Sequence, residues 1–308
     1  MTHEHLQAEL PESLSCSACR GSMRYAFQIG DVNRRISQEH FIYFQCTACG
    51  LISLANVPED LGRYYPEGYG LIPQSDDAIE AGLLHEQYKI DLVKRFAGGG
   101  RLVEIGPSWG AFCLLASRAG FSVQAIEMNR ECCEFINQRL GLQALNSRDE
   151  VATLRELPSP DVIVMWHVIE HLRDPWALIA QAVEKLAPGG IVVLATPNPD
   201  AIQFRLLGRF WTHVDAPRHV HLIPIALMRQ KLSALGLEEL LTTTRDEGSL
   251  GWNEFGWSFS LAGFVSGFWP KRILRITGRI LARLAAFFES REGRGSAYTA
   301  IFRKPPIQ

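Results

Sequence analysis

Between residues 101 and 245, short apolar runs of strand length alternate with longer segments whose apolar positions recur every three or four residues. That alternation predicts strands at Arg101–Ile105, Ser122–Glu127, Gln143–Leu145, Val162–Trp166 and Ile191–Thr196. Helices are predicted between them at Ala111–Ala119, Arg130–Leu140 and Trp176–Leu186. A later helix, Pro224–Leu235, precedes a strand at Leu237–Thr244, and a last strand falls at Ala297–Arg303. Strand and helix taken in turn argue for an α/β fold, a mostly parallel sheet covered by helices on both faces. Upstream, a helix over His85–Phe96 runs into Gly98-Gly99-Gly100, and the apolar run Phe41–Phe44 suits a strand. The loop Arg63-Tyr64-Tyr65-Pro66-Glu67-Gly68-Tyr69-Gly70 is expected to be a connector that packs through its tyrosines.

Composition narrows the class. The chain has 308 residues, of which 47% are hydrophobic, enough for a substantial core. A formal charge of -2 lacks the basic excess that nucleic acid would demand, so no nucleic-acid partner is expected. Met1–Ser15 is polar and acidic, without the apolar stretch of a signal peptide, and no run is long enough to cross a bilayer as a helix. A cytoplasmic protein is expected. In that compartment the seven cysteines are read as metal ligands, nucleophiles or buried thiols before disulfides.

Four of them form two pairs, Cys16-x-x-Cys19 and Cys46-x-x-Cys49, with Gly21 and Gly50 placed to turn the chain back. Four thiolates close a tetrahedral shell around Zn2+ with no open position, so the reading is a structural zinc ribbon within residues 1–55. So short a module builds little core, and metal binding would supply on the order of 10 kcal/mol toward its folding. Cys113, Cys132 and Cys133 fall on predicted helices and are expected in the core.

The run Leu102-Val103-Glu104-Ile105-Gly106-Pro107-Ser108-Trp109-Gly110 is a buried strand entering a glycine turn and then a helix. Glycines let a ligand approach the backbone closely, and the helix start offers free N–H groups. Glu104 ends that strand and Glu127 the next one, so one carboxylate can attract a cation and the other can take ribose hydroxyls. The G-x-G-x-x-G of dinucleotide-binding proteins is absent. The turn instead resembles the E/D-x-G-x-G-x-G motif of class I S-adenosylmethionine-dependent methyltransferases, with Ser108 in place of the middle glycine. Asp161-Val162-Ile163-Val164-Met165-Trp166-His167-Val168-Ile169-Glu170-His171-Leu172 resembles that family's fourth strand and following turn. Ala187-Pro188-Gly189-Gly190-Ile191-Val192-Val193-Leu194 resembles its Pro-Gly-Gly turn into the fifth. The resemblance covers residues 85 to 245 and the last strand. It implies a Rossmann-like seven-stranded sheet and S-adenosylmethionine as cofactor. Glu104, Gly106, Ser108 and Gly110 would line its methionine end, Glu127 would hold the ribose, and Met128 would lie against the adenine. Asp149 would approach the adenine amine, and Trp166 and His167 would floor the sulfonium. The rival readings are a nicotinamide-dinucleotide oxidoreductase and a non-catalytic cofactor-binding relative. The cysteine module is similar to that of bacterial methyltransferases acting on sugar nucleotides, in which it helps cover the acceptor pocket.

Methyl transfer needs an aligned acceptor and often a base, and histidine is the obvious base near neutral pH; the acceptor expected here is a small molecule, sugar- or lipid-linked, methylated on oxygen or carbon. One cluster is His167-x-x-Glu170-His171 after the fourth strand. It resembles the E-x-x-E-H turn of ubiquinone-biosynthesis O-methyltransferases, associated with a divalent cation, but His167 replaces the first glutamate. The plainer reading has Glu170 and His171 bracing the next helix. The second cluster, Trp211-Thr212-His213-Val214-Asp215-Ala216-Pro217-Arg218-His219-Val220-His221, follows the fifth strand, past the sheet edge where ligands of open α/β folds bind. It puts His219 first as base, His213 second and His167 third, with Arg218 steering a polar or anionic acceptor; packing is the alternative for each histidine.

These readings divide the chain into a zinc ribbon (1–55), a connector (56–84), a methyltransferase domain (85–247 and 294–308) and a helical insertion (248–293). Within the insertion, Arg272, Arg275, Arg279 and Arg283 recur at helical spacing, with Ile273, Ile276, Ile280, Leu284 and Phe287 on another face. Two readings stand side by side. Residues 255–288 form a lid or dimer element whose apolar face packs on protein, making a homodimer, or they contact the inner face of a membrane.

Overall fold

A computed structural model describes residues 14–65, 68, 71–263, 265 and 267–306. Expectations for residues 1–13 and for Pro66, Glu67, Tyr69, Gly70, Phe264, Ser266 and 307–308 lie outside the described residues. The chain builds two sheets. The smaller is antiparallel, in the order β1 (Met23–Gly30), β2 (His40–Cys46), β3 (Ile52–Leu54), β9 (His221–Leu222). The larger has seven strands: β10 (Glu238–Thr243), β11 (Ala297–Arg303), β8 (Ile191–Pro197), β7 (Val162–Trp166), β4 (Gly100–Ile105), β5 (Phe121–Glu127) and β6 (Gln143–Asn146), in that spatial order. Strand β11 runs antiparallel to both neighbours and the other pairs listed from β8 to β6 are parallel. Every residue of β7 and β8 is buried, as expected where helices cover both faces. Strand β4 pairs with β5 on one side and β7 on the other, so the chain order reverses at its C-terminal end. Open α/β sheets bind ligands at that reversal.

Helix α1 spans Asp76–Lys94, starting nine residues before the predicted His85. Its start is fixed by the Ser75 side chain, which accepts from Ala78 N, and by Asp76 and Asp77 against the positive helix end. Helices α2 (Ala111–Arg118), α3 (Arg130–Gln138), α5 (Pro175–Lys185) and α7 (Ile225–Ala234) fall within a residue or two of their predicted ends. Two more helices were not anticipated, α4 (Glu150–Glu156) and α6 (Ile202–Leu207), while α8 (Glu247–Gly263) forms the first part of the insertion expected to be helical. Helix α9 (Phe268–Glu289) lies on α8, so closely that a carbon added at Gly278 would sit 2.4 Å from Ser258 Cα. Among the described residues no helix is long and apolar enough to cross a membrane.

The two sheets are joined by charge as well as by packing. Strand β9 comes from the histidine loop, so that loop completes the small sheet: Ser53 Oγ lies 2.9 Å from His221 Nδ1. Arg218, expected to steer an acceptor, instead has a side chain with 0% exposure. It donates to Asp31 Oδ1 at 2.7 Å, to both oxygens of Asp215 at 2.8 and 2.9 Å, and to the Tyr64 carbonyl at 3.1 Å. Sequence shows that a charge is present but not how many partners surround it; here every direction of the guanidinium is taken.

Removing only the cation would leave two carboxylates facing each other with little solvent. Arg218→Met is therefore expected to lower unfolding free energy by about 3–5 kcal/mol in chemical denaturation. Adding Asp31→Asn and Asp215→Asn should restore part of the loss; a single variant as stable as the parent would refute the structural role.

Candidate active site

The glycine turn after β4 has the geometry its residues allow. Gly106 and Gly110 have φ of +69° and +89°, and a side-chain carbon at either would come within 2.7 Å of Val168 or Ile136. Ser108 also sits at positive φ (+54°), a conformation unusual for a residue with a side chain. Beneath the turn lie two buried carboxylates. Glu127, at the end of β5, accepts from Ser108 N at 3.0 Å and Asn129 N at 2.7 Å. It thereby straps the turn, with lone pairs left for further donors. Glu104, on β4, accepts from Cys113 Sγ at 2.8 Å and from no other donor among the described residues. Burial pushes its carboxyl up to about 7, with the Cys113 hydrogen bond and Lys89 pulling the other way. Burial raises Glu127 too, against the backbone N–H groups of Asn129 and Ser108.

Above these carboxylates Gly106, Ser108, Met128 and Asp149 are exposed along one rim. Asp149 spends one oxygen capping α4 through Ala152 N at 2.9 Å. Trp166, at the end of β7, is buried under Phe112, and its Nε1 has no acceptor among the described residues. The donor set suits a nucleoside bearing a positive charge. Two carboxylates stand at neighbouring strand ends, side chains are excluded at the two glycines, and a buried N–H waits unpaired.

Beside the turn lies a cavity of about 610 Å³ whose walls include His167, Glu170, His171, His213 and His219. Glu170, fully buried, accepts from Thr196 Oγ1 at 3.0 Å and lies 3.3 Å from His167 Nδ1. Burial would raise its carboxyl, but the His167 hydrogen bond and the potentials of His167, His171 and His219 hold it down to about 2. His167 carries φ of +56°, a strained setting of the kind found at working sites. His213 is pressed between Trp211, Trp252 and Phe255, and burial drops it to about 3. His171 falls to about 4, by burial and by the neighbouring His219. Rings that resist protonation this strongly make weak bases. The Nδ1 of His219 lies 2.7 Å from the His213 carbonyl, which fixes a proton there and leaves the Nε2 lone pair for another. Nitrogen and oxygen atoms of Glu170, His171 and His219 lie within 4.8 Å of one another.

The opposite wall was not found in the sequence. Trp252, Phe255 and Phe259 come from α8, Asn33, Arg34 and Arg35 from the loop after β1, and Lys271 and Arg275 from α9. The aromatic spacing of three and four residues from Trp252 to Phe259 was the available signal.

The cysteine pairs converge at the other end of the small sheet. Cys16 Sγ and Cys49 Sγ are 3.6 Å apart, Cys19 and Cys46 3.5 Å, and all four sulfurs fall within 4.8 Å of one another. Tetrahedral Zn–S bonds of about 2.3 Å require sulfurs about 3.8 Å apart, so the set fits that ion. Burial opposes charge on Cys46, but N–H groups of Cys49 and Ala48 and the neighbouring cysteines bring its thiol down to about 6. At the first knuckle the turning residue is Arg20 (φ +61°), not Gly21; Gly50 (φ +77°) plays that part at the second. Gly21 is needed for room, since a carbon there would lie 3.2 Å from two of the sulfurs.

A Rossmann-like sheet with this turn at its reversal point defines a class, and comparison with known proteins agrees. Residues 83–242 match the family described as a methyltransferase domain, and the chain belongs to that family. It is 30% identical over 105 residues to a ubiquinone biosynthesis O-methyltransferase of Caulobacter sp. (strain K31), covering 32% of this chain and 42% of the relative. It is 26% identical over 175 residues to a protein of that name from Cereibacter sphaeroides (strain KD131 / KCTC 12085), covering 53% of this chain and 68% of the relative. The chain thus spans about two-fifths of the length of the first of these relatives. Among solved structures, a putative sarcosine dimethylglycine methyltransferase from Galdieria sulphuraria shares the fold, with a TM-score of 0.50 and 17% identity over 77% of this chain and 92% of that one. The family match sets aside the dinucleotide oxidoreductase reading.

The raised Glu104 carboxyl has a consequence for stability. The folded protein keeps this proton up to about 7, whereas the ordinary value is 4.5, so stability falls as pH rises between them. The full loss above pH 7 is roughly 3 kcal/mol. Glu104→Gln should therefore melt higher than the parent at pH 8 and match it at pH 4.5 in thermal denaturation without ligand; a difference independent of pH would refute the assignment.

Proposed function

We propose that this chain transfers a methyl group from S-adenosylmethionine to oxygen or carbon of a small acceptor, sugar- or lipid-linked, held in the histidine-lined cavity. The observation that carries the reading is the pair of buried carboxylates, Glu104 and Glu127, at adjacent strand ends flanking the glycine turn. When bound, the cofactor supplies an electrophilic methyl group on a sulfonium. Glu104 would face its cationic amino-acid end, where ionising the carboxyl becomes favourable. Glu127 would accept from the ribose hydroxyls while keeping the turn strapped. Gly106, Ser108 and Gly110 would admit its methionine portion, Met128 and Asp149 would border the adenine, and Trp166 and His167 would form the floor.

On the acceptor side, His219 Nε2 takes the proton that the acceptor loses, and His213 orients the ring through its carbonyl. Glu170, already ionised, sits close enough to favour the imidazolium that results. Trp252, Phe255 and Phe259 exclude water from the acceptor. We further assign a structural Zn2+ to Cys16, Cys19, Cys46 and Cys49, which would hold the small sheet in register against the histidine loop.

Calorimetry with S-adenosylhomocysteine should show saturable binding and NAD(H) none; the reverse result would overturn the cofactor reading. With radiolabelled cofactor and an accepted substrate, His219→Ala should lower turnover about 10²- to 10⁴-fold with cofactor affinity unchanged. Full activity in that variant would remove His219 as the base. Elemental analysis should find one zinc per chain, lost together with thermal stability in Cys46→Ala; a metal-free native protein of equal stability would remove the zinc.

A further inference from the structure

Helix α9 presents an unusual face. Ile273, Ile276, Ile280, Leu284 and Phe287 recur at intervals of three and four residues and form one row along it. Such a row ordinarily lies on the protein, and the lid or dimer reading expected it there. Here the five residues are 49–69% exposed, while Gly278 and Glu289 on the other side are buried against α8 and its neighbours. Phe268 and Trp269 at the start of the helix are 68% and 69% exposed.

The row is flanked by cations. From Gly267 to Phe288 there is no acidic residue, whereas Lys271, Arg272, Arg275, Arg279 and Arg283 are basic, in a chain whose overall charge is -2. Of these, among the described residues, Arg279 alone meets a carboxylate, Glu254 of α8, across an exposed pair. Position matters as much as charge. Lys271 and Arg275 line the histidine cavity on one side. The same two residues line an outer groove of about 490 Å³ on the other, together with Phe268, Arg272, Ile276 and Arg279. Cavity and groove therefore meet at two cations.

We propose that α9 seats the protein on an anionic membrane surface, and that the acceptor is an anionic amphiphile drawn from that surface. Its reacting head enters the cavity, its negative group lies between Lys271 and Arg275, and its apolar portion follows the outer groove. The assignment of the cavity rests on the methyl-transfer reading; the assignment of the surface does not. An anionic bilayer answers both features of the helix, since acyl chains receive the isoleucine row and headgroups the arginines. A second copy of the chain answers only the first, because apposed helices would bring two arginine rows together. Among the described residues no helix is both long and apolar enough to cross the bilayer, and the contact proposed is interfacial.

Sedimentation of the full chain with vesicles of phosphatidylcholine and phosphatidylglycerol, against phosphatidylcholine alone, tests this directly. Binding should be roughly tenfold or more stronger to the anionic vesicles and weaken as salt is raised. Ile280→Asp with Leu284→Asp should abolish it, with unchanged circular dichroism and unchanged affinity for S-adenosylhomocysteine, since neither residue touches the cavity. No binding of the parent protein to anionic vesicles overturns the proposal. So does a dimer, seen by analytical ultracentrifugation, that the same double variant disperses while vesicle binding is absent. Vesicle binding without affinity for S-adenosylhomocysteine would keep the surface and overturn the methyl-transfer reading instead.

Discussion

A buried guanidinium decides where half of the active site lies. Arg218 cannot be solvated where it sits, so it must be surrounded by acceptors, and those come from two distant segments as well as its own loop: Asp31 after β1, the Tyr64 carbonyl in the connector, and Asp215. Satisfying one charge thus brings the small sheet, the connector and the histidine loop into a single arrangement. Tyr43 adds to it by donating from its hydroxyl to the His219 carbonyl at 2.8 Å. The N-terminal module is accordingly not an appendage to a finished domain. It supplies a wall of the histidine-lined cavity and part of the scaffold for the proposed base, while the glycine turn and its two carboxylates belong to the seven-stranded sheet and the helices on it.

The two halves are stabilised by opposite means. Beside the histidine cavity, the Arg218 guanidinium and the Glu170 carboxylate are buried with hydrogen-bonding partners, which orders that half of the free protein. In the cofactor half, Glu104 is buried with only a thiol for a partner, and the fold resists ionising it. That is a standing cost in the free protein, recovered when a cation arrives. A site arranged this way discriminates by charge, because a neutral ligand of the same shape would not offset the desolvation of the carboxylate.

How much could be read from the chain follows from the range of the interactions. Strands β4, β7 and β8 were legible to within a residue because both their faces are covered, which leaves unbroken apolar runs between turn residues. The knuckle cysteines were legible because ligand spacing is local. Strand β1 was missed: Met23–Gly30 mixes exposed and half-buried positions, and its pairing with β2 includes an irregular register. Strand β9 could not be anticipated, being two residues long and defined by a partner, β3, far away in sequence. Arg218 was misread for a related reason, since two of its partners, Asp31 and the Tyr64 carbonyl, are far away in sequence. In α9 the amphipathic pattern was plain, yet pattern gives a period and not a direction, and the side turned inward is the one with Gly278, where α8 approaches too closely for any side chain.

The electrostatics of the histidine cluster then explain why one ring of several should carry the proton. His171 and His213 are both buried well enough to stay neutral across the physiological range, so neither competes for it. Glu170 remains ionised because hydroxyl and imidazole donors reach it, which places a fixed negative charge beneath the cluster. A proton arriving from an acceptor meets one carboxylate and, at His219, a ring whose tautomer is already set by a backbone carbonyl. Charging that ring would place a cation within 4.8 Å of Glu170, whereas charging His213 would bury one among Trp211, Trp252 and Phe255; His171 is as near to Glu170, but burial and the neighbouring His219 oppose its protonation. Selectivity for His219 thus comes from what surrounds the other rings as much as from any property of its own.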